Sequence, residues 1–193
     1  MNKLREDICE IGRRLYNREL VSSCDGNISI RVDESSFLIT PTMMNKGFMK
    51  IDDISLIDLE GNVINGTKLP SSEFMLHSIV YKNRKDINAV VHAHPVTVSA
   101  FAVIRRSVTM AYMPEAIMSL GEFHVADYAK PGTNQLAESI KPFIEKNNGC
   151  ILSNHGAVTW ADNIYKAYNL MEQLEFYCKT VILAEQIGKP VSI

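Results

Sequence analysis

The chain has 193 residues, of which 46% are hydrophobic and 22% charged, and its formal net charge at pH 7 is −2. These values predict a single globular domain over residues 1–193 with a full core. The weak net charge without a basic block argues against nucleic acid as the main partner, and no apolar run approaches the roughly 20 residues of a membrane span. Four widely spaced cysteines and a charged N-terminus without a signal-peptide core predict a cytoplasmic protein with reduced thiols.

Apolar periodicity divides the first third of the chain into one helix and several strands. The predicted elements are a helix over 2–20, strands over 28–32 and 37–40, a loop over 41–50, and strands over 54–59 and 63–64. The helix is predicted from apolar residues repeating at helical spacing, and the strands from alternation of apolar and polar residues. The turn between the first two strands predicts a hairpin.

Helices and strands alternate in the rest of the chain. The predicted elements are a helix capped by Ser71 or Ser72 and ending near Asn83, a strand over 89–94, a helix from Pro95 to about Val103, short strands and loops over 107–130, a helix over 133–146, a strand over 149–152, and a long helix capped by Asp162 and ending near Ile187. Early hairpins followed by this alternation predict a layered α/β or α+β sheet protein, with the strand order left open.

The segment from Ala89 to Pro95 carries two histidines at the end of a short apolar run. His92 and His94 are one residue apart, so on a strand their side chains point to the same face. Two imidazoles on one face can bind one metal ion, and imidazole is a common zinc ligand. Two separately hydrogen-bonded histidines are the alternative, and we favour the metal site because the pair closes a buried strand.

Two further residues extend this candidate site. His155 ends another short apolar strand, and Glu73 follows two serines at a predicted helix start. Three histidines and a carboxylate suit a zinc site in which the carboxylate can also do acid–base work. Taken alone, His155 is equally suited to loop hydrogen bonding, and Glu73 to helix capping. His77 lies four residues after Glu73 and either orients it or packs beneath it.

Small and hydroxyl-bearing residues before and near Glu73 form a candidate anion site. They are Gly26, Asn27, Thr42, Ser71 and Ser72. Two serines at a helix N-terminus favour a phosphate, because unpaired N–H groups and the helix dipole both attract an anion. Capping and turn formation are the more common roles of such residues, and phosphate is favoured here because Glu73 follows immediately.

Five short stretches, in this order and spacing, make the chain resemble the class II aldolase/adducin family. They are Gly26-Asn27-Ile28-Ser29, Ile39-Thr40-Pro41-Thr42, Pro70-Ser71-Ser72-Glu73, Val91-His92-Ala93-His94 and Asn154-His155-Gly156. The resemblance covers nearly the whole chain. It implies a three-layer α/β/α fold with a central, mainly antiparallel sheet, assembled as a homotetramer with active sites between subunits.

The resemblance also implies a role for each site residue. The implied Zn²⁺ ligands are His92, His94 and His155, with Glu73 as a ligand in the empty site and the acid–base group once substrate displaces it. The implied contacts of the substrate phosphate are Gly26, Asn27, Thr42, Met43, Ser71 and Ser72. The implied partner-site residue is Tyr112, a tyrosine that reaches a neighbouring subunit and serves the aldehyde side of the reaction.

The implied reaction is cleavage of L-fuculose 1-phosphate, or a related ketose 1-phosphate, to dihydroxyacetone phosphate and an aldehyde through a metal-stabilised enediolate. Alternatives on the same scaffold are an L-ribulose-5-phosphate 4-epimerase-like enzyme and a sugar-phosphate dehydratase or decarboxylase. Glu73 favours an aldolase, because the epimerases carry Asp there. An adducin-like binding module is a further alternative, and the retained histidines argue against it.

Three features depart from the fuculose-phosphate aldolases of this family. Met43 stands where those enzymes have Gly in the phosphate loop, and Pro131 stands where they have an aromatic residue beside the aldehyde pocket. The sequence ends at Ile193, before the tail that brings a second tyrosine to the site in those aldolases. These departures bear on the identity of the sugar more than on the chemistry.

Overall fold

A computed structural model describes residues 1–109 and 111–193. Its helices are α1 (Asn2–Asn17), α2 (Phe74–Asn83), α3 (Val96–Val103), α4 (Pro114–Ser119), α5 (Asn134–Ile144) and α6 (Ile164–Ile187). Its strands are β1 (Asn27–Arg31), β2 (Ser36–Ile39), β3 (Ser55–Asp58), β4 (Val63–Asn65), β5 (Ala89–Ala93), β6 (Val125–Ala126), β7 (Gly149–Leu152) and β8 (Gly156–Ala161). Two short 3-10 helices span Lys46–Phe48 and Ile51–Asp53.

The strands form one eight-stranded sheet in the order β4-β3-β2-β1-β5-β8-β7-β6. Neighbouring strands are antiparallel except β6 and β7, which are parallel. Residues of α1, α3, α4 and α6 pack in a hydrophobic core on one face, and residues of α2 and α5 pack in a second core on the other. The predicted α/β fold with a central, mainly antiparallel sheet is confirmed.

Strand β5 lies at the centre of the sheet and is buried along its whole length. Ala89, Val91 and Ala93 belong to the core beneath α1 and α6, whereas Val90 belongs to the core beneath α2 and α5. Because side chains alternate along a strand, His92 shares the orientation of Val90 and points to the face that α2 covers. The sequence of β5 therefore directs this histidine toward the helix that follows Glu73.

Several element predictions were wrong in detail. Strand β8 was not predicted, because it follows β7 after a turn of only three residues and all six of its residues are buried, so no alternation marks it. Helix α4 lies within 107–130, where we expected strands and loops, and it starts at Pro114, whose fixed φ suits the first helical position. The cap of α6 is Asn163, whose side chain accepts the N–H of Lys166, and not Asp162.

The start of α2 also differs from the prediction. Its N-cap is Glu73 instead of a serine, and Ser71 instead accepts a weak hydrogen bond from the Glu73 N–H at 3.3 Å. The predicted loop over 41–50 contains the first of the 3-10 helices. All four cysteines are free, and no helix among the described residues is both long and apolar enough to cross a membrane. The single domain over 1–193 stays a prediction.

Candidate active site

The three predicted histidine ligands converge at one end of β5 and β8. His92 lies in β5, His94 follows its last residue, and His155 occupies the tight turn between β7 and β8. One ring nitrogen from each lies within 4.8 Å of the others, and the ring centroids are 4.7–4.8 Å apart. Antiparallel pairing of β5 with β8 sets Ala93 opposite Ala157, which brings the turn alongside the His-x-His segment.

Backbone conformation fixes the turn that carries His155. Its N–H donates to the Leu152 carbonyl at 3.0 Å, and the preceding Asn154 has a left-handed φ of 56°. A Cβ at Gly156 would lie 2.4 Å from the Ala93 carbonyl oxygen and 2.7 Å from a ring carbon of His94. Only glycine therefore allows the turn to lie this close to the two β5 histidines.

Glu73 faces the histidine cluster from the start of α2. Its Oε2 lies 3.3 Å from His92 Nε2, and its Oε1 lies 3.6 Å from His155 Nε2. His92 donates its Nδ1–H to the Ala157 carbonyl at 2.9 Å, so in the neutral ring Nε2 carries the lone pair. His94 Nε2 lies 3.0 Å from that same nitrogen. Ring nitrogens and a carboxylate oxygen thus point at one small volume.

This arrangement of polar atoms fits a divalent cation. Within the described part of the chain, the buried side-chain polar atoms without a hydrogen-bond partner are Glu73 Oε1, His155 Nδ1 and Ser99 Oγ, and the first of these faces the cluster. A buried carboxylate oxygen is costly to leave unpaired, and a cation beside it would remove that cost. Three imidazoles and one carboxylate are a donor set that zinc and related divalent metals accept.

The electrostatics of the cluster hold two of its three histidines neutral at neutral pH, whereas the pKa of His92 is raised because burial, which alone would lower it, is outweighed by the effect of Glu73. Burial, together with the neighbouring His92 ring, lowers the pKa of His94 to about 4 and that of His155 to about 3. Burial alone would raise the pKa of Glu73, but His92, His155 and an Asn27 hydrogen bond together hold it well below its usual range. Glu73 is therefore ionised, and His94 and His155 present the neutral form that binds metals.

Glu73 is held from below by a buried amide and a buried imidazole. Asn27 Nδ2 donates to Glu73 Oε2 at 2.8 Å, and Asn27 Oδ1 lies 2.5 Å from His77 Nε2. His77 is fully buried on α2, and burial lowers its pKa to about 3. Of the two roles that the sequence left open for His77, these contacts favour orientation of Glu73, through Asn27.

The predicted phosphate residues lie on three loops at the same end of the sheet, except Asn27, which is the first residue of β1. The Ser71 N–H donates to the Thr40 carbonyl, and the Thr42 N–H donates to the Leu69 carbonyl, each at 3.0 Å. These two backbone donors are therefore already paired, which leaves the hydroxyls of Ser71 and Thr42 as their groups for an anion. Ser71 is buried, whereas Ser72 is exposed beside Gly132.

Gly26 and Met43 complete this set. Gly26 has a φ of +73°, and a Cβ there would lie 2.8 Å from the His92 carbonyl oxygen, so the loop depends on glycine to approach β5. Met43 also has a left-handed φ, of 52°, and its side chain is 83% exposed. A left-handed φ favours glycine, which is the residue that the family resemblance implies at this position. Met43 keeps this backbone conformation although it carries a side chain.

Lys46 is a buried residue near these loops that sequence reasoning missed. Its ammonium donates to the carbonyls of Cys24 and Met44 and thereby ties together the loops that carry Gly26 and Thr42. Burial lowers its pKa to about 8. A single lysine in a loop is predicted to be exposed, because lysine is seldom buried. No periodic pattern in the sequence indicates its burial.

Tyr112 has no described contact with the histidine cluster of its own chain. It is half-buried, and its N–H donates to the Tyr177 hydroxyl at 3.2 Å. Its role in a neighbouring subunit stays a prediction. Pro131 is exposed and precedes Gly132, which places it near Ser72 at the rim of the site.

The sheet and its histidine cluster define the class of protein. It is an α/β protein whose central strands carry a candidate metal site, and the loops beside that site are candidates for binding phosphate. A family model described as "Class II Aldolase and Adducin N-terminal domain" matches residues 6–182. The chain therefore belongs to the class II aldolase and adducin family, as its motifs predict.

Relatives with curated names support this membership. An L-fuculose phosphate aldolase of Methanococcus maripaludis is 39% identical over 88% of this chain and 91% of its own. A 3-oxo-tetronate 4-phosphate decarboxylase of Haemophilus influenzae is 29% identical over 89% of this chain and 83% of its own. The solved structure of an L-fuculose 1-phosphate aldolase superposes with a TM-score of 0.93 at 31% identity, covering all of this chain and 91% of that one. These matches confirm the prediction of an enzyme of the class II aldolase type.

Proposed function

We propose that the chain is a Zn²⁺-dependent aldolase that cleaves a ketose 1-phosphate to dihydroxyacetone phosphate and an aldehyde. The convergence of His92, His94 and His155 beside an ionised Glu73 carries the proposal. The aldolase relatives support L-fuculose 1-phosphate or a closely related sugar as substrate. The three histidines would hold the metal, which when bound supplies a Lewis acid for the substrate oxygens next to the bond that breaks.

The chain's own residues account for the proton transfers. A base removes the C4 hydroxyl proton, the C3–C4 bond breaks, and its electron pair remains with C3. Glu73, ionised at the start, gains the proton released from the C4 hydroxyl and then delivers it to C3, and C4 leaves as the aldehyde carbon. A carboxylate suits this role because it is ionised, lies beside the metal ligands and is held by Asn27 at 2.8 Å. The hydroxyls of Ser71, Ser72 and Thr42 bind the phosphate and so orient C3 toward Glu73.

Metal removal and a single carboxylate substitution test this proposal. We expect chelation to abolish release of dihydroxyacetone phosphate from a panel of pentulose and hexulose 1-phosphates, and Zn²⁺ to restore it. Glu73→Gln should keep its Zn²⁺ content but lose roughly 10²–10⁴-fold in turnover, the usual contribution of a positioned acid–base group. Glu34→Gln, an exposed carboxylate away from the site, is the matched control. Full activity in metal-free protein would overturn the proposal.

A decarboxylase is the second candidate, because two relatives, of Haemophilus influenzae and Cupriavidus necator, carry that name. Such an enzyme would use the same metal and phosphate sites on a phosphorylated 3-oxo acid, breaking a bond to a carboxylate instead of a bond to a hydroxyl-bearing carbon. Product analysis separates the two, since a decarboxylase releases CO₂ and an aldolase releases two organic fragments. Release of CO₂ from a 3-oxo-tetronate 4-phosphate without cleavage of any ketose 1-phosphate would favour the second candidate.

The proposal extends to a homotetramer in which Tyr112 completes a neighbour's site. Its support is the family resemblance and the position of Tyr112, whose described contact is with Tyr177 and not with the histidines. Mixing inactive Glu73→Gln chains with Tyr112→Phe chains tests it, because a mixed assembly would contain some sites with both native groups. Recovered turnover on mixing supports a shared site, and strictly additive activity contradicts it.

A further inference from the structure

Four buried polar side chains connect β1 to α2 directly beneath Glu73, and we call them the polar seam: Asn27, Ser29, His77 and Tyr81. Each is at most 3% exposed. Asn27 and Ser29 are two residues apart on β1, a rise of about 6.7 Å, and His77 and Tyr81 are four residues apart on α2, a rise of about 6 Å. The two pairs therefore have nearly equal spacing. The strand and the helix can therefore bond side by side over two successive steps.

Hydrogen bonds are continuous along the polar seam. Tyr81 Oη lies 2.6 Å from Ser29 Oγ, which lies 2.7 Å from His77 Nδ1. His77 Nε2 lies 2.5 Å from Asn27 Oδ1, and Asn27 Nδ2 lies 2.8 Å from Glu73 Oε2. The chain of hydrogen bonds thus runs from the Tyr81 hydroxyl to the Glu73 carboxylate, which faces the three histidines.

The position of each proton in the polar seam can be assigned by starting at the Glu73 carboxylate, where the chain of hydrogen bonds ends. An ionised carboxylate only accepts, so Asn27 must present its NH₂ group to Glu73 and its carbonyl oxygen to His77. His77 must then carry its proton on Nε2, and its neutral ring accepts at Nδ1 from the Ser29 hydroxyl. Ser29 has one hydroxyl proton, so Tyr81 must donate to it. Every bond donates toward Glu73.

We propose that His77 is a positioning residue, fixed by Ser29 as the neutral Nε2–H tautomer, that locks the Asn27 amide and through it the carboxylate of Glu73. The inference rests on the proposed function for the role of Glu73. In this arrangement one Nδ2–H of Asn27 donates to Glu73, and the other Nδ2–H remains to donate to a substrate oxygen. A flipped Asn27 would turn its carbonyl against the carboxylate and lose both bonds.

The tautomer can be tested without any activity measurement. Nitrogen-15 NMR of imidazole-labelled, Zn²⁺-loaded protein should show His77 as the neutral Nε2–H form at pH 7. In Ser29→Ala, which removes the donor to Nδ1 but keeps Asn27 as the acceptor at Nε2, we expect the Nδ1–H tautomer to gain population. A protonated ring or the Nδ1–H form in the wild type would overturn the proposal, whether or not the protein cleaves sugar phosphates.

Kinetics test the positioning role. His77→Leu should lower kcat by roughly 10–100-fold with KM and Zn²⁺ content little changed, as expected when the partner that orients a site residue is lost. His77→Gln, which can still donate an N–H to Asn27, should recover most of the turnover. His124→Leu is the matched control, because His124 pairs with Glu122 outside the site.

Two outcomes of these kinetics would overturn the positioning role. One is an unchanged kcat in a folded His77→Leu, and the other is equal loss in the Leu and Gln variants. If the wild type cleaves no ketose 1-phosphate, the proposed function fails, and the NMR result still decides the tautomer. The two failures are therefore distinguishable.

Discussion

Among single residues, Met43 holds a backbone conformation that L-amino acids rarely adopt, in the loop proposed to bind phosphate. A left-handed φ costs a non-glycine residue roughly 1–2 kcal/mol. We expect Met43→Gly to raise or leave unchanged the free energy of unfolding, and Met43→Val to lower it by about 1 kcal/mol or more, since β-branched residues tolerate this region least. Urea denaturation measures both. Met44→Gly is the control and should destabilise, because Met44 packs against the core and lacks a positive φ.

His77 makes a second prediction at this scale, on acid stability. Its pKa is about 3 in the folded protein, whereas an unfolded histidine titrates near 6.5, so the unfolded chain binds the extra proton between these values. Stability should therefore fall as pH drops from about 6.5 toward 3. His77→Gln cannot take up this proton, and its unfolding free energy should fall less steeply, by up to about 1.4 kcal/mol per pH unit.

Urea denaturation of both proteins in chelator, at several pH values, measures this difference. His94 and His155 titrate in both proteins and cancel in the comparison. Parallel stability curves for the wild type and the glutamine variant would contradict a buried neutral His77.

Among secondary-structure elements, the antiparallel contact of β5 with β8 carries the metal site. Gly156 begins β8, and a methyl group there would meet the Ala93 carbonyl at 2.4 Å and His94 at 2.7 Å. We expect Gly156→Ala to destabilise the fold by about 1–3 kcal/mol, the usual cost of overpacking, and to weaken Zn²⁺ affinity at least tenfold. Competition with a chromogenic chelator measures the affinity.

The control for this substitution is Gly188→Ala. Gly188 has an extended backbone, and a Cβ there meets nothing within 4 Å. It should leave stability and affinity unchanged. An equal Zn²⁺ affinity in Gly156→Ala and the wild type would mean that His94 does not depend on this close contact.

Sequence patterns predicted most elements because each buries one face with the expected period. They missed β8, since it follows β7 after three residues and every one of its residues is buried, so no alternation marks it. They also placed His92, His94, His155 and Glu73 at or next to the ends of secondary-structure elements, although Glu73 is the N-cap of α2 and His94 follows β5. The convergence of these four depends on strand order, which periodicity does not encode. Lys46, Ser29 and Tyr81 were missed, because buried polar contacts between distant segments leave no local pattern, whereas His77 was expected either to orient Glu73 or to pack beneath it.

At the scale of the whole molecule, metal binding should add to a fold that stands without it. The two hydrophobic cores on the sheet faces do not depend on the histidine cluster. We expect metal-free protein to remain folded by circular dichroism, and Zn²⁺ at about 100 times its Kd to add about 2.7 kcal/mol of stability. For a chain of this size that corresponds to a rise in Tm of roughly 5–10 °C.

His155→Ala should lose this rise in Tm, whereas His124→Ala should keep it. A metal-free chain that unfolds would show that the cluster belongs to the fold itself. No change in Tm with any divalent metal would remove the basis of the metal site.

The polar seam lies between β1 and α2, where selection for stability alone would favour apolar side chains. Buried hydrogen-bonded groups contribute little net stability, and well-packed apolar replacements are often neutral or stabilising. A chain carrying leucine at 77 and phenylalanine at 81, with β1 repacked to match, should therefore be at least as stable and catalytically impaired. Directed evolution for heat tolerance alone would drift toward that less active chain, and a screen for turnover must accompany it.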